Sequence, residues 1–293
     1  MKKIIFKGCG TAIITPFTND GINFDEFKKL IEFQIENKVD SIIVCGTTGE
    51  SSTMSTEEKK EAIKFAIKTV NKRIPVIAGT GANSTSSAIE MTKFAESVGA
   101  DGALIVTPYY NKTTQDGLIA HYSEIAKNTN LPIILYNVPS RTGLNIMPST
   151  CKKLSEIENI VAIKEASGNL SQIAEIANLC GEDLNIYSGN DDQITPILAV
   201  GGIGVISVLS NIMPEYTHNI VYNFFNGNID KSIQNQIKAI PLIKALFCEV
   251  NPIPVKYALN KIGFTVGIPR LPLVEMSLSG KEKMDKELVK FLL

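Results

Sequence analysis

The sequence predicts a (β/α)8 TIM barrel with a C-terminal helical extension, and three observations carry that reading. Short apolar runs rich in β-branched residues recur about every 25 to 30 residues, each followed by a longer stretch with helical spacing. Eight such runs precede Asn228, and no strand signal follows it. Within the runs, as in Val76-Ile77-Ala78 and Ile133-Ile134-Leu135, consecutive positions are apolar, which suits parallel strands covered on both faces.

Taken in order, strands are expected at residues 11–15, 41–45, 75–79, 102–107, 132–136, 160–164, 185–188 and 204–208. Amphipathic helices such as 25–37, 56–71 and 84–98 fill the connections. A doubly wound open sheet would need a glycine fingerprint after its first strand. Thr11-Ala12-Ile13-Ile14-Thr15-Pro16-Phe17 has no glycine at that turn, so the closed barrel is preferred. Beyond Asn228, segments 231–250, 254–262 and 282–293 read as helices punctuated by Pro252, Pro254, Pro269 and Pro272. The expected division is a catalytic barrel at 1–227 and a helical domain at 228–293.

At 293 residues and 44% hydrophobic content, the chain is long enough to bury such a core. Lys and Arg total 29 against 30 Asp and Glu, a net charge of −1. That balance gives no electrostatic reason to expect a nucleic-acid or membrane partner. The start, Met1-Lys2-Lys3-Ile4-Ile5-Phe6-Lys7, lacks the apolar core of a signal peptide, and no later run is long enough to span a bilayer. A soluble, cytoplasmic protein is expected. Five dispersed cysteines without a CxxC pair and only two histidines, His121 and His218, argue against a zinc site and against Ser-His-Asp or Cys-His chemistry. The cysteines read as reduced core residues, which leaves Lys, Tyr, Thr and carboxylates to do any chemistry.

Barrel enzymes place their reacting side chains at the C-terminal ends of strands. Lys164 closes the sixth run, after Ile160-Val161-Ala162-Ile163. A free lysine, with a reference pKa near 10.4, is neutral in fewer than about one molecule in a thousand at pH 7. Only the neutral amine attacks a carbonyl, and low-dielectric walls disfavour the ammonium form. Position alone also allows a surface lysine, so the neighbours decide. Tyr136 ends the fifth run, directly beside the sixth, and a phenol there can pass protons to and from a carbinolamine if a relay assists it; alternatively it is a half-buried strand-end tyrosine.

After the second run comes Gly46-Thr47-Thr48-Gly49-Glu50-Ser51-Ser52. Its glycines permit backbone amides to crowd a substrate carboxylate, with Thr47 or Thr48 adding a hydroxyl. A plain turn before a helix capped around Ser55 or Thr56 fits the same residues. The adjacent Tyr109 and Tyr110 cannot both face one core, so one is assigned to an interface or a site. Gly201-Gly202-Ile203-Gly204 precedes the eighth strand, the wrong end for phosphate binding, and reads as a turn.

These motifs, Gly46-Thr47-Thr48-Gly49-Glu50, Tyr136-Asn137-Val138-Pro139 and Lys164-Glu165-Ala166-Ser167-Gly168, resemble the signatures of the pyruvate-dependent aldolase and lyase superfamily in an order that spans nearly the whole chain. Within it, Ser140-Arg141-Thr142-Gly143, Tyr109-Tyr110-Asn111-Lys112 and Asn251-Pro252-Ile253-Pro254-Val255-Lys256 are similar to the dihydrodipicolinate synthase family. The resemblance implies a lyase of the diaminopimelate route to lysine. Lys164 would form an imine with pyruvate, and the enamine would attack L-aspartate 4-semialdehyde, with no metal or organic cofactor. It further implies that Tyr136, Thr47 and Tyr110 form a proton relay, Tyr110 reaching in from a neighbouring subunit. Arg141 would hold the semialdehyde carboxylate and Thr48 the pyruvate carboxylate, while Gly189 and Ile206 match backbone positions that line the lysine pocket. A homodimer at minimum is expected, and by family habit a tetramer built from tight dimers.

Ser51, Asn83 and Tyr109 match an allosteric pattern for lysine, but Lys59 and Ser87 stand where inhibited members carry histidine and glutamate. Weak or absent feedback inhibition is the resulting expectation. Two rivals remain: another pyruvate-dependent aldolase, such as N-acetylneuraminate lyase or a 2-keto-3-deoxy sugar-acid aldolase, which would lack the purpose of Arg141, and a non-catalytic pyruvate sensor, which would lack a relay group.

Overall fold

Eight parallel strands pair edge to edge and close into a barrel: β1 (Gly8–Ala12), β2 (Ser41–Val44), β3 (Val76–Gly79), β4 (Gly102–Val106), β5 (Ile133–Asn137), β6 (Ile160–Glu165), β7 (Asn185–Ser188) and β8 (Gly204–Ser207), which returns to β1. This is a computed structural model that describes residues 2–292; Leu293, the end of the last expected helix, lies outside them. Closure leaves the barrel sheet no open edge. Around it lie α1 (Phe24–Glu36), α2 (Thr56–Val70), α3 (Thr85–Ser97), α4 (Gln115–Lys127), α5 (Pro139–Thr142), α6 (Pro148–Ser155), α7 (Leu170–Cys180), α8 (Ile194–Ala199) and α9 (Pro214–Phe225). The chain then continues as α10 (Ile229–Leu246), α11 (Ile253–Lys261) and α12 (Leu278–Leu292).

Seven strands lie within a residue or so of expectation, but the first does not. The sequence predicts it at residues 11–15, and it runs at Gly8–Ala12. Glycine carries no strand signal, yet β1 needs Gly8 and Gly10. A Cβ on Gly10 would come 2.7 Å from both the Phe6 ring and Ile43, and one on Gly204 would meet the Gly8 carbonyl at 2.1 Å. Phe6 is what fills the space. It folds beneath the strands and stacks on Tyr187 with centroids 4.4 Å apart, and the Tyr187 hydroxyl donates to the Phe6 carbonyl at 2.6 Å. Ile13, Ile14 and Thr15 continue past the strand toward the mouth, where the Thr15 hydroxyl donates to the Gly49 carbonyl at 2.7 Å. A small hairpin, Phe17–Thr18 with Gly21–Ile22, was not expected; two-residue strands are too short to show a period.

Two apolar layers result. Phe6, Ile43, Ile77, Leu104, Ile134 and Ile206 fill the barrel itself, and a larger cluster lies between strands and helices. The second includes Leu242, Leu246, Val255, Leu259, Met284 and Leu288, so the C-terminal helices share the core of the barrel layer. Helix boundaries in this part shift from those expected: α10 starts and ends earlier than 231–250, and α12 begins at Leu278. Pro241 sits inside α10 without ending it. All five cysteines are unpaired, four of them buried. No helix among the described residues is long and apolar enough to cross a membrane.

Candidate active site

Tyr136 and Lys164 are paired residues on neighbouring strands, so backbone register alone puts them side by side. Alternation along β5 and β6 turns both inward, where they are 7% and 5% exposed. Lys164 Nζ stands 4.4 Å from the centroid of the Tyr136 ring. Among the described residues it forms no salt bridge. The amine is thus buried at the barrel mouth against an aromatic face, with no carboxylate bound to it.

Gly189 follows β7 on the other side of Lys164. Its N–H donates to the Glu165 carbonyl at 2.8 Å, and a Cβ there would lie 2.7 Å from the Ala166 Cβ. Only glycine lets this backbone approach so closely. Ile206 is fully buried and belongs to the same interior cluster as Tyr136.

A cavity of about 290 Å3 opens beside this centre. Thr47 and Arg141 line it, together with Ser51, Lys59, Ser87 and Tyr109. Val138 joins the two regions, because it lines the cavity and also packs in the Tyr136 cluster. Asn83 does not line the cavity; its carbonyl accepts from Asn111 Nδ2 at 2.9 Å. Tyr110 is not brought into the centre at all: it is 92% exposed, on a backbone with φ 72°.

The loop after β2 turns sharply into the Ser51–Thr53 helical turn. Its left-handed residues are Cys45 and Glu50, not Gly46 or Gly49. The N–H groups of Gly49 and Glu50 close the turn on the carbonyls of Gly46 and Thr47, both at 3.1 Å. Among the described residues, the amides of Gly46, Thr47 and Thr48 have no acceptor, so these three are left for an anion. Burial pushes the Cys45 thiol up to about 12, which removes it as a nucleophile near neutral pH.

Several residues that the sequence reading did not assign hold this loop. Asn251 Nδ2 donates to the Thr48 hydroxyl at 3.0 Å, and the Asn251 carbonyl accepts from Arg141 at 3.3 Å. Lys256 on α11 forms a fully buried ion pair with Glu50. The Arg270 N–H donates to the same Glu50 carboxylate at 2.9 Å, while its guanidinium grips Glu58 on α2 at 2.6 and 2.9 Å. Beneath them Phe17 has Lys256 Nζ 4.4 Å and the Arg270 guanidinium carbon 4.0 Å from its ring centroid. The Asn251-Pro252 stretch was part of the resemblance, but its reach to Thr48 spans more than two hundred positions and carries no periodic signal. Asp191, after β7, accepts from the Val208 and Leu209 N–H groups at 2.9 Å each, tying the exits of β7 and β8 together. Burial raises its pKa, while Ser207, those amides and the Lys164 charge pull it down.

A family model described as the dihydrodipicolinate synthetase family matches residues 5–291. The chain belongs to that family. A relative from Caldicellulosiruptor saccharolyticus named 4-hydroxy-tetrahydrodipicolinate synthase is 58% identical over 288 residues, covering 98% of this chain and 97% of its own. A crystal structure of a dihydrodipicolinate synthase is similar with a TM-score of 0.95 at 49% identity, covering 97% of this chain and 99% of that one. Another solved structure, described as the first monomeric dihydrodipicolinate synthase variant, has a TM-score of 0.96 at 44% identity, with 98% and 97% covered. As a member of the dihydrodipicolinate synthetase family, the chain carries its C-terminal helices as the backing of the loop that presents Thr47 and Thr48.

Proposed function

We propose that this chain condenses pyruvate, bound as an imine on Lys164, with L-aspartate 4-semialdehyde, acting as a 4-hydroxy-tetrahydrodipicolinate-forming lyase. One observation carries the reading: the Lys164 amine is buried against Tyr136 at the C-terminal end of a closed barrel. Family membership supports the choice of both substrates.

Lys164 attacks the ketone of pyruvate, and Tyr136 passes the proton that must leave with the carbinolamine hydroxyl. Thr48 binds the pyruvate carboxylate. Asn251 supports that role, since by donating to the Thr48 oxygen it leaves the hydroxyl hydrogen free to point at an anion. Arg141, exposed at the cavity mouth, takes the carboxylate of the semialdehyde, for which a planar fork is suited. Thr47 continues the relay from Tyr136. Gly189 and Ile206 shape the pocket around the imine.

Tyr110 completes the relay from a second subunit. An aromatic side chain 92% exposed on a left-handed backbone is left uncovered by the described residues of its own chain, and a neighbouring copy would cover it. The assembly is a tetramer of tight dimers. Lysine inhibits weakly or not at all, because an ammonium ligand entering beside Lys59 would meet like charge and no carboxylate at Ser87.

The deciding experiment treats the protein with pyruvate and borohydride, maps the modified peptide by mass, and measures turnover with aspartate semialdehyde. Label on Lys164 together with turnover is expected, and both vanish in Lys164→Ala. Label without turnover would favour a sugar-acid aldolase. Condensation by Lys164→Ala at the parent rate would overturn the reading.

A further inference from the structure

The outer side of the barrel wall, behind Lys164 and Tyr136, holds a buried polar cluster that the condensation does not use. Glu165 and Asn137 are both fully buried and face each other as the last paired residues of β6 and β5. Alternation turns them away from the interior, toward the helix layer. Asn137 Nδ2 donates to the two Glu165 oxygens at 3.1 and 3.2 Å. Gln172 Nε2 on α7 donates at 3.1 Å, and the Ser167 N–H at 2.8 Å. Asn137 is held in turn by the Ile146 N–H, which donates to its Oδ1 at 3.0 Å, and by Asn145 Oδ1, which accepts from its Nδ2 at 2.8 Å. Every group facing Glu165 in this set is a donor, which is the surrounding an ionised carboxylate needs.

Packing does not require such a cluster. Removing a carboxylate from water costs several kcal/mol, and an apolar pair would seal the same wall. The strand ladder supplies a reason. Low in the barrel, Ile133 pairs with Ile160, a register that would carry Tyr136 to face Ile163. A shift between Ile133 and Ile134 moves the ladder by one residue, and Tyr136 faces Lys164 instead. Because a slip of one residue sends a side chain to the opposite face, the upper register has to be fixed independently of the lower one.

We propose that Glu165 is a positioning residue: through Asn137 it locks β5 and β6 in the shifted register that keeps the Lys164 amine against Tyr136. The inference rests on Lys164 being the imine-forming residue. Burial raises the Glu165 pKa, and the hydrogen bonds from Ser167, Asn137 and Gln172 oppose that rise.

The test compares the wild type with Glu165→Gln, which turns one oxygen into a donor facing donors. Pyruvate and borohydride label Lys164 in the wild type. In Glu165→Gln the labelling rate and kcat fall on the order of 10–100-fold, the penalty for a reacting pair displaced by about an ångström, while KM for pyruvate changes little because the Thr48 loop is untouched. Adding Asn137→Asp returns an acceptor opposite the new amide and restores part of the rate. Gln172→Met removes one donor, leaves both strands intact, and gives a smaller loss in the same direction, which serves if Glu165→Gln does not fold. A lower melting temperature with an unchanged labelling rate per folded molecule, in either variant, overturns the proposal. Absence of label on wild-type Lys164 overturns the parent reading and this one with it, and is told apart by the wild-type control.

Discussion

A single methyl group at position 189 is enough to separate two strands. Its nearest neighbours would be the Ala166 Cβ at 2.7 Å and the Glu165 carbonyl at 3.0 Å, both parts of rigid backbone or short side chain. Gly189→Ala is therefore expected to push β7 away from the Lys164 strand and lower kcat by roughly tenfold or more, as misplaced reacting groups do, with the fold retained by circular dichroism. Asn251 offers a contrasting case. Asn251→Ala removes the donor that orients the Thr48 hydroxyl, and losing one hydrogen bond of about 0.5–1.5 kcal/mol should appear as a several-fold rise in KM for pyruvate with a smaller change in kcat. Residue chemistry of this kind was partly legible. Lys164 and Tyr136 could be paired from sequence because neighbouring strands end together. Asn251 and Arg270 could not, since their contacts with Thr48 and with Glu58 on α2 join distant segments that no period connects.

Among the elements, β1 shows why apolar runs mislead. Ile13 and Ile14 are as apolar as any strand, but the ladder is formed by Gly8–Ala12, whose glycines make room for Phe6. Gly10→Val would drive two methyl groups into that ring and Ile43; overpacking costs about 1–3 kcal/mol, readable as a lowered melting temperature. The seven other strands were legible because they are apolar on both faces. The proposed division near Asn228 is one of topology rather than of core, because α10–α12 bury their apolar faces in the cluster that coats the barrel. Arg270 reinforces that union by holding Glu58, and its hydrogen bonds keep the Glu58 carboxyl below the usual value of 4.5. A depressed carboxyl contributes stability in full above that value and loses it as pH falls through the lowered one. Thermal unfolding followed from pH 6 to pH 3 should show this loss in the wild type and less of it in Arg270→Ala.

At the scale of the whole molecule, the proposed relay is incomplete in one chain. Tyr110→Phe should reduce turnover without loosening the fold, and mixing it with an inactive Lys164→Ala partner should recover activity in hybrid assemblies, if sites borrow the tyrosine across an interface. Sedimentation paired with assays checks the same point: a dissociated monomer with full turnover would refute it. Millimolar lysine should leave steady-state rates nearly unchanged, in keeping with Lys59 in the cavity wall. The stacked Phe6 and Tyr187 rings have a last consequence. Both belong to the packed interior of the barrel, so a small molecule is expected to reach Lys164 from the rim and to leave the same way. On the proposed function, traffic would be single file: the ketoacid would have to be in place before its aldehyde partner lands above it, and the finished ring would have to clear the passage before the next guest descends.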